Sequence, residues 1–195
     1  MADPGSPAPG NSWRSSLAAL QHRNFRLLWS GQLVSMAGSM MQGAAILWHV
    51  SQLVPPHQRG LALGMVGLVR IVPIVGFSLV SGVVADALDR RKLMLVTQVG
   101  MMLTTAVLAW TAFAGIPALW PVYVLAALSS AFGSFDGPAR QSLIPNLVPR
   151  EHLPNAISLN TVMSQASSVA GPAIGGILIA VTNIGWAYAI NSPAF

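Results

Sequence analysis

Long apolar stretches separated by short polar or charged segments run through most of the chain. No Asp, Glu, Lys or Arg occurs from residue 27 to residue 56, and further apolar stretches follow it. A helix needs about 20 apolar residues to cross the roughly 30 Å hydrocarbon core of a bilayer. The pattern predicts an all-α integral membrane protein with five complete transmembrane helices and an incomplete sixth, at about residues 26–50, 61–85, 93–114, 119–138, 155–181 and 186–195.

The first 25 residues have a different pattern. Residues 1–12 are rich in Pro, Gly and Ser and have no apolar periodicity, which predicts a disordered tail. Residues 13–25 carry Trp13, Leu17 and Leu20 at helical spacing among arginines. This second segment is predicted to form a short amphipathic helix at the level of the lipid headgroups.

The composition supports lipid as the solvent. Charged residues make up 8% of the chain, against about 25% in a typical soluble domain. The net charge of +5 comes from Arg and Lys placed between apolar segments, so topology explains it better than nucleic-acid binding does. There is no cysteine, no glycine-rich phosphate loop and no metal-ligand spacing among the four histidines, so we expect no enzyme, no metal and no cofactor.

The basic residues also predict an orientation. With the N-terminus in the cytoplasm, eight of them fall on the cytoplasmic side and only Arg59 on the outer side. Such an excess is typical of cytoplasmic loops. The eight are Arg14, Arg23, Arg26, Arg90, Arg91, Lys92, Arg140 and Arg150.

Polar residues recur along two of the predicted helices. In the first, steps of 3, 4, 3 and 7 place five of them on one stripe: Gln32, Ser35, Ser39, Gln42 and His49. In the fifth, a similar set is Ser158, Thr161, Gln165 and Ser168. They either line a substrate path or form interhelical hydrogen bonds worth about 0.6 kcal/mol each. Serine hydroxyls can also bond to their own helix, and His49 is expected at the outer interface.

Arg70 lies well inside the second predicted helix. A central arginine costs about 2.5 to 3.5 kcal/mol on insertion scales. It is therefore expected either to extend toward the outer surface or to bind an anionic substrate. Asp136 is expected to be a loop partner rather than a proton carrier. Glycines are expected where helices touch, among them Gly64, Gly67, Gly76, Gly171, Gly175 and Gly176.

Four stretches carry a resemblance to a known family. They are NFRLLWSGQLVS at 24–35, GVVADALDRRK at 82–92, GPARQSLIPNLVPREHLPNAISLN at 137–160 and GPAIGG at 171–176. With them, residues 24–195 resemble the N-terminal half of a major facilitator superfamily transporter, and within it the enterobactin-exporter-like, transmembrane secretion effector branch. Ala87 and Ser167 depart from the motifs of relatives, which more often have a basic residue and a glycine there.

The resemblance implies the N-terminal six-helix half of a twelve-helix bundle. It implies secondary-active efflux of a drug-like compound or siderophore by alternating access, proton-coupled, in the inner (plasma) membrane. The expected partners are the lipid bilayer, a small-molecule substrate and a C-terminal half, with no nucleic acid. Because the substrate site of the superfamily lies between the halves, this chain would supply one wall of it.

The resemblance also assigns residues to the loop after the second helix. The loop motif corresponds to Gly82, Asp86, Asp89, Arg90 and Arg91. In relatives, the aspartate at the position of Asp86 caps a helix of the other half, where a carboxylate meets free N–H groups. The arginine at the position of Arg90 bridges to an acid at the end of helix 4, here Asp136. Alternatively, Asp86 caps a helix locally and the basic residues only set the topology.

The motif in the fifth helix resembles one associated with antiporters. It comprises Gly171, Pro172, Gly175 and Gly176. Pro172 removes a backbone hydrogen bond and can bend the helix. The glycine face is then expected to pack against the other half.

Two alternatives to an exporter half remain open. One is a truncated or split membrane fragment that does not transport and needs a partner half. The other is a half-sized transporter that works as a homodimer, which an end inside the sixth helix disfavours.

Overall fold

Six α-helices account for most of the chain that the structure describes. The computed structural model describes residues 18–87, 89–141 and 143–195, with all of their side chains except those of 78–87, 90, 91 and 139. The helices are α1 (Arg23–Leu53), α2 (Arg59–Ala87), α3 (Arg90–Phe113), α4 (Leu119–Gln141), α5 (Leu153–Val181) and α6 (Ile184–Asn191). No β-strand occurs in these ranges. The chain is thus an all-α membrane protein.

Proline, glycine or asparagine marks several of the helix boundaries. Val54 is extended before Pro55 and Pro56, as the residue before a proline prefers, and so ends α1. Gly115, with a φ of 62°, follows α3. The side chain of Asn183 accepts a hydrogen bond of 3.2 Å from the backbone N–H of Trp186 and caps α6.

The N-terminal segment differs from the expectation. Residues Ala18–Gln21 form a 3₁₀ turn, and α1 begins at Arg23 instead of residue 26. The predicted boundary at residue 25 therefore differs from the structure, because Arg23, Asn24 and Phe25 belong to α1. The interfacial position of the preceding segment stays a prediction. Residues 1–17, including the predicted tail, lie outside the described residues.

Four of the described helical segments are long and apolar enough to cross a membrane: Arg23–Leu53, Pro56–Phe77, Lys92–Phe113 and Arg150–Val181. The sequence predicted a fifth complete span in α4. Its 23 residues would extend about 35 Å, which is sufficient length. Trp120, Tyr123 and Asp136 lower its apolarity, and α4 packs along both α2 and α3, so that less of it meets lipid.

The helices pack around α1, which contacts α2, α4, α5 and α6. The most extensive pairs are α2 with α4, α1 with α5 and α3 with α4. One apolar core joins five helices through buried residues such as Ile46, Val66, Leu108, Val122 and Tyr188.

A second apolar cluster closes the end of the bundle at which the chain enters α1. Ala19 and Phe25 pack there with Ile144, Val148 and Ala156. The backbone N–H of Ala19 donates to the side chain of Asn155 at 2.9 Å. The N-terminal turn is thus fixed to the connector before α5.

The outward faces of the helices carry large apolar side chains. Leu61, Val72, Trp110, Val169 and Val181 are each more than 60% exposed. So much exposed apolar surface is incompatible with water and fits a lipid surround. The chain is therefore a multi-pass membrane protein.

Glycine contributes to packing at only some of the expected positions. A Cβ at Gly171 would lie 2.6 Å from the carbonyl oxygen of Ala37, so α5 and α1 approach too closely there for any side chain. In contrast, Gly64, Gly67 and Gly76 face open space and make no helix contact with the described residues, contrary to the expectation for this part of the bundle. The reason is that α2 meets its neighbours along another face.

Candidate functional site

Polar side chains gather around two adjoining cavities along one side of α1. The first, of about 280 Å³, lies among α1, α2, α3 and α4. The second, of about 430 Å³, lies among α1, α3, α4 and the first turns of α5. Ser39, Met101 and Gly133 line both cavities, which therefore adjoin, and the two together are called the depression below.

The polar stripe of α1 faces the interior of the bundle. Ser35, Gln42 and His49 are 6%, 4% and 7% exposed. Gln32 lines the second cavity, and Ser39 lines both. Part of the stripe thus lines cavities and part of it bonds to other helices, and its role in a substrate path stays a prediction.

Gln42 is the member of the stripe with the most interhelical contacts. Its Oε1 accepts from Asn191 Nδ2 at 3.2 Å and lies 2.9 Å from the Thr105 hydroxyl. Its Nε2 makes a long contact of 3.5 Å with the Ser129 hydroxyl. One amide therefore connects α1 to α3, α4 and α6.

His49 is buried inside the bundle, four residues before the end of α1, and its expected level at the outer interface stays a prediction. Its Nδ1 is 3.4 Å from the hydroxyl of Tyr188, and the two ring centroids are 5.9 Å apart. This contact was not predictable from the sequence, because α6, which carries Tyr188, was expected only as an incomplete span. Packing of α6 on α1 buries both rings.

A buried ion pair borders the second cavity. The Nε of Arg140 donates to the carboxylate of Asp136 one helical turn earlier in α4. Asp136 Oδ1 also lies 3.2 Å from the Thr97 hydroxyl of α3. Arg140 Nη2 lies 3.3 Å from the Ser35 hydroxyl, which links the pair to α1. Such a pair is held by its mutual attraction and by hydrogen bonds to both partners.

The loop motif is described only in part. Gly82 lies within α2, and the side chains of Asp86, Arg90 and Arg91 lie outside those that the structure describes. Asp89 is exposed, and its carbonyl accepts the backbone N–H of Leu93 at 2.9 Å at the start of α3. The predicted contacts of Asp86 and Arg90 stay predictions.

The polar residues predicted on α5 are exposed. The hydroxyls of Ser158 and Thr161 donate to carbonyls of their own helix, at 3.0 and 3.1 Å. Thr161 lines the second cavity together with Asn160 and Ser164. Ser158 and Gln165 are not among the residues lining either cavity.

The motif in α5 is divided between two environments. Gly171 and Gly175 are buried against Ala37, Met40 and Met41 of α1. The expectation that these two glycines face a second half is wrong, because α1 covers them. Pro172 lies inside α5, which continues to Val181, and Gly176 faces open space.

Arg70 lines the first cavity. Its Nε donates to the Ser130 hydroxyl of α4 at 3.4 Å. Its Nη1 lies beside Gly43 of α1, where a Cβ in place of the hydrogen would be only 3.3 Å away. The guanidinium is thus held between α1 and α4, away from the Arg59 end of α2.

Sequence reasoning missed several residues of this region. They are Thr105 of α3, Ser129, Ser130 and Ser134 of α4, Asn160 and Ser164 of α5, and Asn191 of α6. Ser130 and Ser134 are four residues apart, and the helical spacing that identified the stripe on α1 would also have identified this pair.

Comparisons with known proteins agree on one family. A family model described as transmembrane secretion effector matches residues 14–195. The MFS-type transporter YfiS of Bacillus subtilis is 30% identical over 86% of this chain and 39% of its own length. The macrolide efflux protein A of Streptococcus pyogenes is 26% identical over 86% and 40%. The enterobactin exporter EntS of Shigella boydii is 28% identical over 92% and 42%. The chain spans about two fifths of the length of these relatives.

Proposed function

Since this chain belongs to the transmembrane secretion effector family of the major facilitator superfamily, we propose that it forms the N-terminal half of a secondary-active exporter. The exporter moves a small molecule, drug-like or a siderophore, out of the cell by alternating access. It resides in the plasma membrane with its N-terminus in the cytoplasm. Efflux is proposed because two relatives are named for it, the macrolide efflux protein and the enterobactin exporter.

One observation carries the proposal. The two adjoining cavities are lined in part by polar side chains and lie in a bundle whose outer surface is apolar. Polar side chains within a membrane are expensive unless they serve a water-filled path or pair with one another. The depression therefore supports a transport route, and a C-terminal half that supplies the opposite wall is its proposed partner.

The loop residues are proposed to control opening on the cytoplasmic side. Asp86 would cap a helix of the C-terminal half, and Arg90 would contact Asp136. Arg140 and Thr97 already hold the Asp136 carboxylate in a fixed position. Separation of the halves during transport would then break the Asp86 contact and leave the Asp136 pair intact.

Export is proposed to be coupled to proton entry. Asp136 is the buried carboxylate among the described side chains, and it is paired with Arg140. Both of its carboxylate oxygens are engaged, one by Arg140 and the other by the Thr97 hydroxyl. We therefore place the coupling acid in the C-terminal half.

Dye efflux from cells tests the proposal. Cells that express the chain together with a C-terminal half should lose a preloaded fluorescent dye faster than cells without it, and a protonophore should abolish the difference. Ser39→Leu, which fills the depression, should slow efflux, whereas Val96→Leu on the exposed face of α3 should not. Efflux by the 195-residue chain alone would contradict the need for a second half.

A further inference from the structure

The first cavity carries one uncompensated positive charge. Asp136 and Arg140, which border the second cavity, pair with each other and together carry no net charge. Arg70, half-buried in the first cavity, has no carboxylate within ion-pair distance among the described side chains. The Cα of Arg70 lies about 16 Å along α2 from that of Arg59, far from either end of the helix. Neutral hydroxyls around it do not offset a full charge.

Most N–H donors of the Arg70 guanidinium have no hydrogen-bond partner among the described residues. An arginine side chain carries five N–H donors and no acceptor. Within the described residues only its Nε has a partner, the Ser130 hydroxyl at 3.4 Å. The two terminal nitrogens lie beside Gly43, where the absence of a side chain leaves room for them. They form a planar pair of donors, the arrangement that binds two oxygens of one anionic group.

Neighbouring hydroxyls are donors as well. The oxygen of Ser130 accepts from Arg70, and the oxygen of Ser129 accepts from Gln42. Their own hydroxyl hydrogens have no acceptor among the described residues. By contrast, Ser39 and Ser134 donate to carbonyls of their own helices, at 3.0 and 2.8 Å. Ser129 and Ser130 are therefore available to a ligand, whereas Ser39 and Ser134 are not.

The main side-chain acceptor in this region is already occupied. Oε1 of Gln42 receives the amide of Asn191 and lies within 2.9 Å of the Thr105 hydroxyl. The cavity thus offers donors and a positive charge, and its strongest acceptor faces protein. A cation would find no counter-charge there. The remaining lining is apolar and includes Ile46, Ile74 and Met101.

We propose that the first cavity binds the anionic group of a small amphipathic molecule. Arg70 contacts a carboxylate, or another oxyanion of the same charge, through its terminal nitrogens, and the hydroxyls of Ser129 and Ser130 donate to it. The apolar body of the ligand lies against Ile46 and Ile74. The proposal rests on the proposed transport function, because it names the chemical class of the exported substrate.

A matched pair of ligands tests this site. The probes are 1-naphthoate and its uncharged amide, 1-naphthamide, which share a ring system and differ in charge. Binding is measured by equilibrium dialysis on the full chain in lipid nanodiscs, with empty nanodiscs subtracted. Wild-type protein should bind naphthoate about tenfold or more tightly than naphthamide.

Substitutions assign the effect to Arg70. Arg70→Gln should remove the preference for naphthoate and leave naphthamide binding unchanged. Arg70→Lys should retain part of the preference, since lysine keeps the charge and loses the two-pronged geometry. Arg59→Gln, the same change at an exposed position of the same helix, should have no effect.

Equal binding of the two probes by the wild type would overturn the inference, and so would the absence of saturable naphthoate binding. A third contradicting result is an Arg70→Lys protein that is folded by circular dichroism and prefers naphthamide. The last variant keeps the test decisive if Arg70→Gln does not fold. Dye efflux separates this inference from the transport proposal. Efflux without an anion preference refutes the anion site alone, and anion binding without efflux refutes the transport function alone.

Discussion

Gln42 shows how much of the bundle depends on a single buried amide. It contacts Thr105, Ser129 and Asn191 on three different helices. Gln42→Leu keeps a similar volume and removes these contacts, and it leaves the amide nitrogen of Asn191 without an acceptor. At about 0.6 kcal/mol for each interhelical bond, the loss should be roughly 2 kcal/mol. Thermal unfolding in detergent, followed by circular dichroism, should show a lower Tm.

Gln32 provides the matched control for this prediction. It lies on the same stripe of α1, is half-buried and makes no hydrogen bond with another described residue. Gln32→Leu should leave the Tm nearly unchanged. An equal decrease in both variants would mean that the amide network does not hold the helices together.

The ion pair of α4 gives a second prediction about side chains. Asp136 and Arg140 are 8% and 6% exposed, so removing one charge leaves the other buried and unpaired. Arg140→Met should cost about 3 kcal/mol or more. Asp136→Asn together with Arg140→Met should cost less than the sum of the two single changes, because no charge is then left alone. Additive costs in a double-mutant cycle would contradict the pairing.

The α1–α5 contact depends on the absence of a side chain at one position. At Gly171 an added Cβ would lie 2.6 Å from Ala37 O and 2.6 Å from the Cβ of Met40. Gly171→Ala should therefore separate the two helices and destabilise the protein by about 1 to 3 kcal/mol. The change should appear as a lower Tm.

Gly176 lies in the same motif and faces open space. Alanine is a better helix former than glycine by up to about 1 kcal/mol, so Gly176→Ala should be neutral or slightly stabilising. Equal destabilisation by both changes would show that the motif acts through backbone flexibility and not through contact with α1.

The six helices surround the partly polar cavities and present an apolar exterior. Cysteine labelling can test this arrangement. The natural chain contains no cysteine, so each introduced thiol is the only one present. Ser39→Cys and Thr161→Cys, which line the cavities, should react with a charged methanethiosulfonate reagent in membranes. Val96→Cys, 63% exposed on the outside of α3, should not react, because lipid covers it. The opposite pattern would contradict the arrangement of the bundle.

The proposed orientation is tested with the same approach. His57 follows α1, and Asn146 lies between α4 and α5; both are exposed. With the N-terminus in the cytoplasm, His57→Cys should react with an impermeant reagent in intact cells, and Asn146→Cys only after the membrane is permeabilised. Reaction of Asn146→Cys in intact cells would reverse the topology.

The membrane class, the approximate positions of the helices and the resemblance to the family follow from the amino-acid sequence alone. Apolar length and the placement of Pro55, Pro56 and Gly115 are local properties, and they limit each helix before any packing occurs. The stripe on α1 was also predictable, since helical spacing alone places its members on one side.

The neighbours of those residues, in contrast, follow only from how the helices pack. Helical spacing aligns Gly64 with Gly67 and Gly171 with Gly175, yet the first pair faces open space and the second pair contacts α1. Likewise, the buried position of His49 depends on Tyr188, and the place of Arg70 depends on Ser130, 60 residues away. The physical reason is that periodicity fixes the direction of a side chain relative to its own helix, whereas the identity of its neighbour is set by how distant helices assemble.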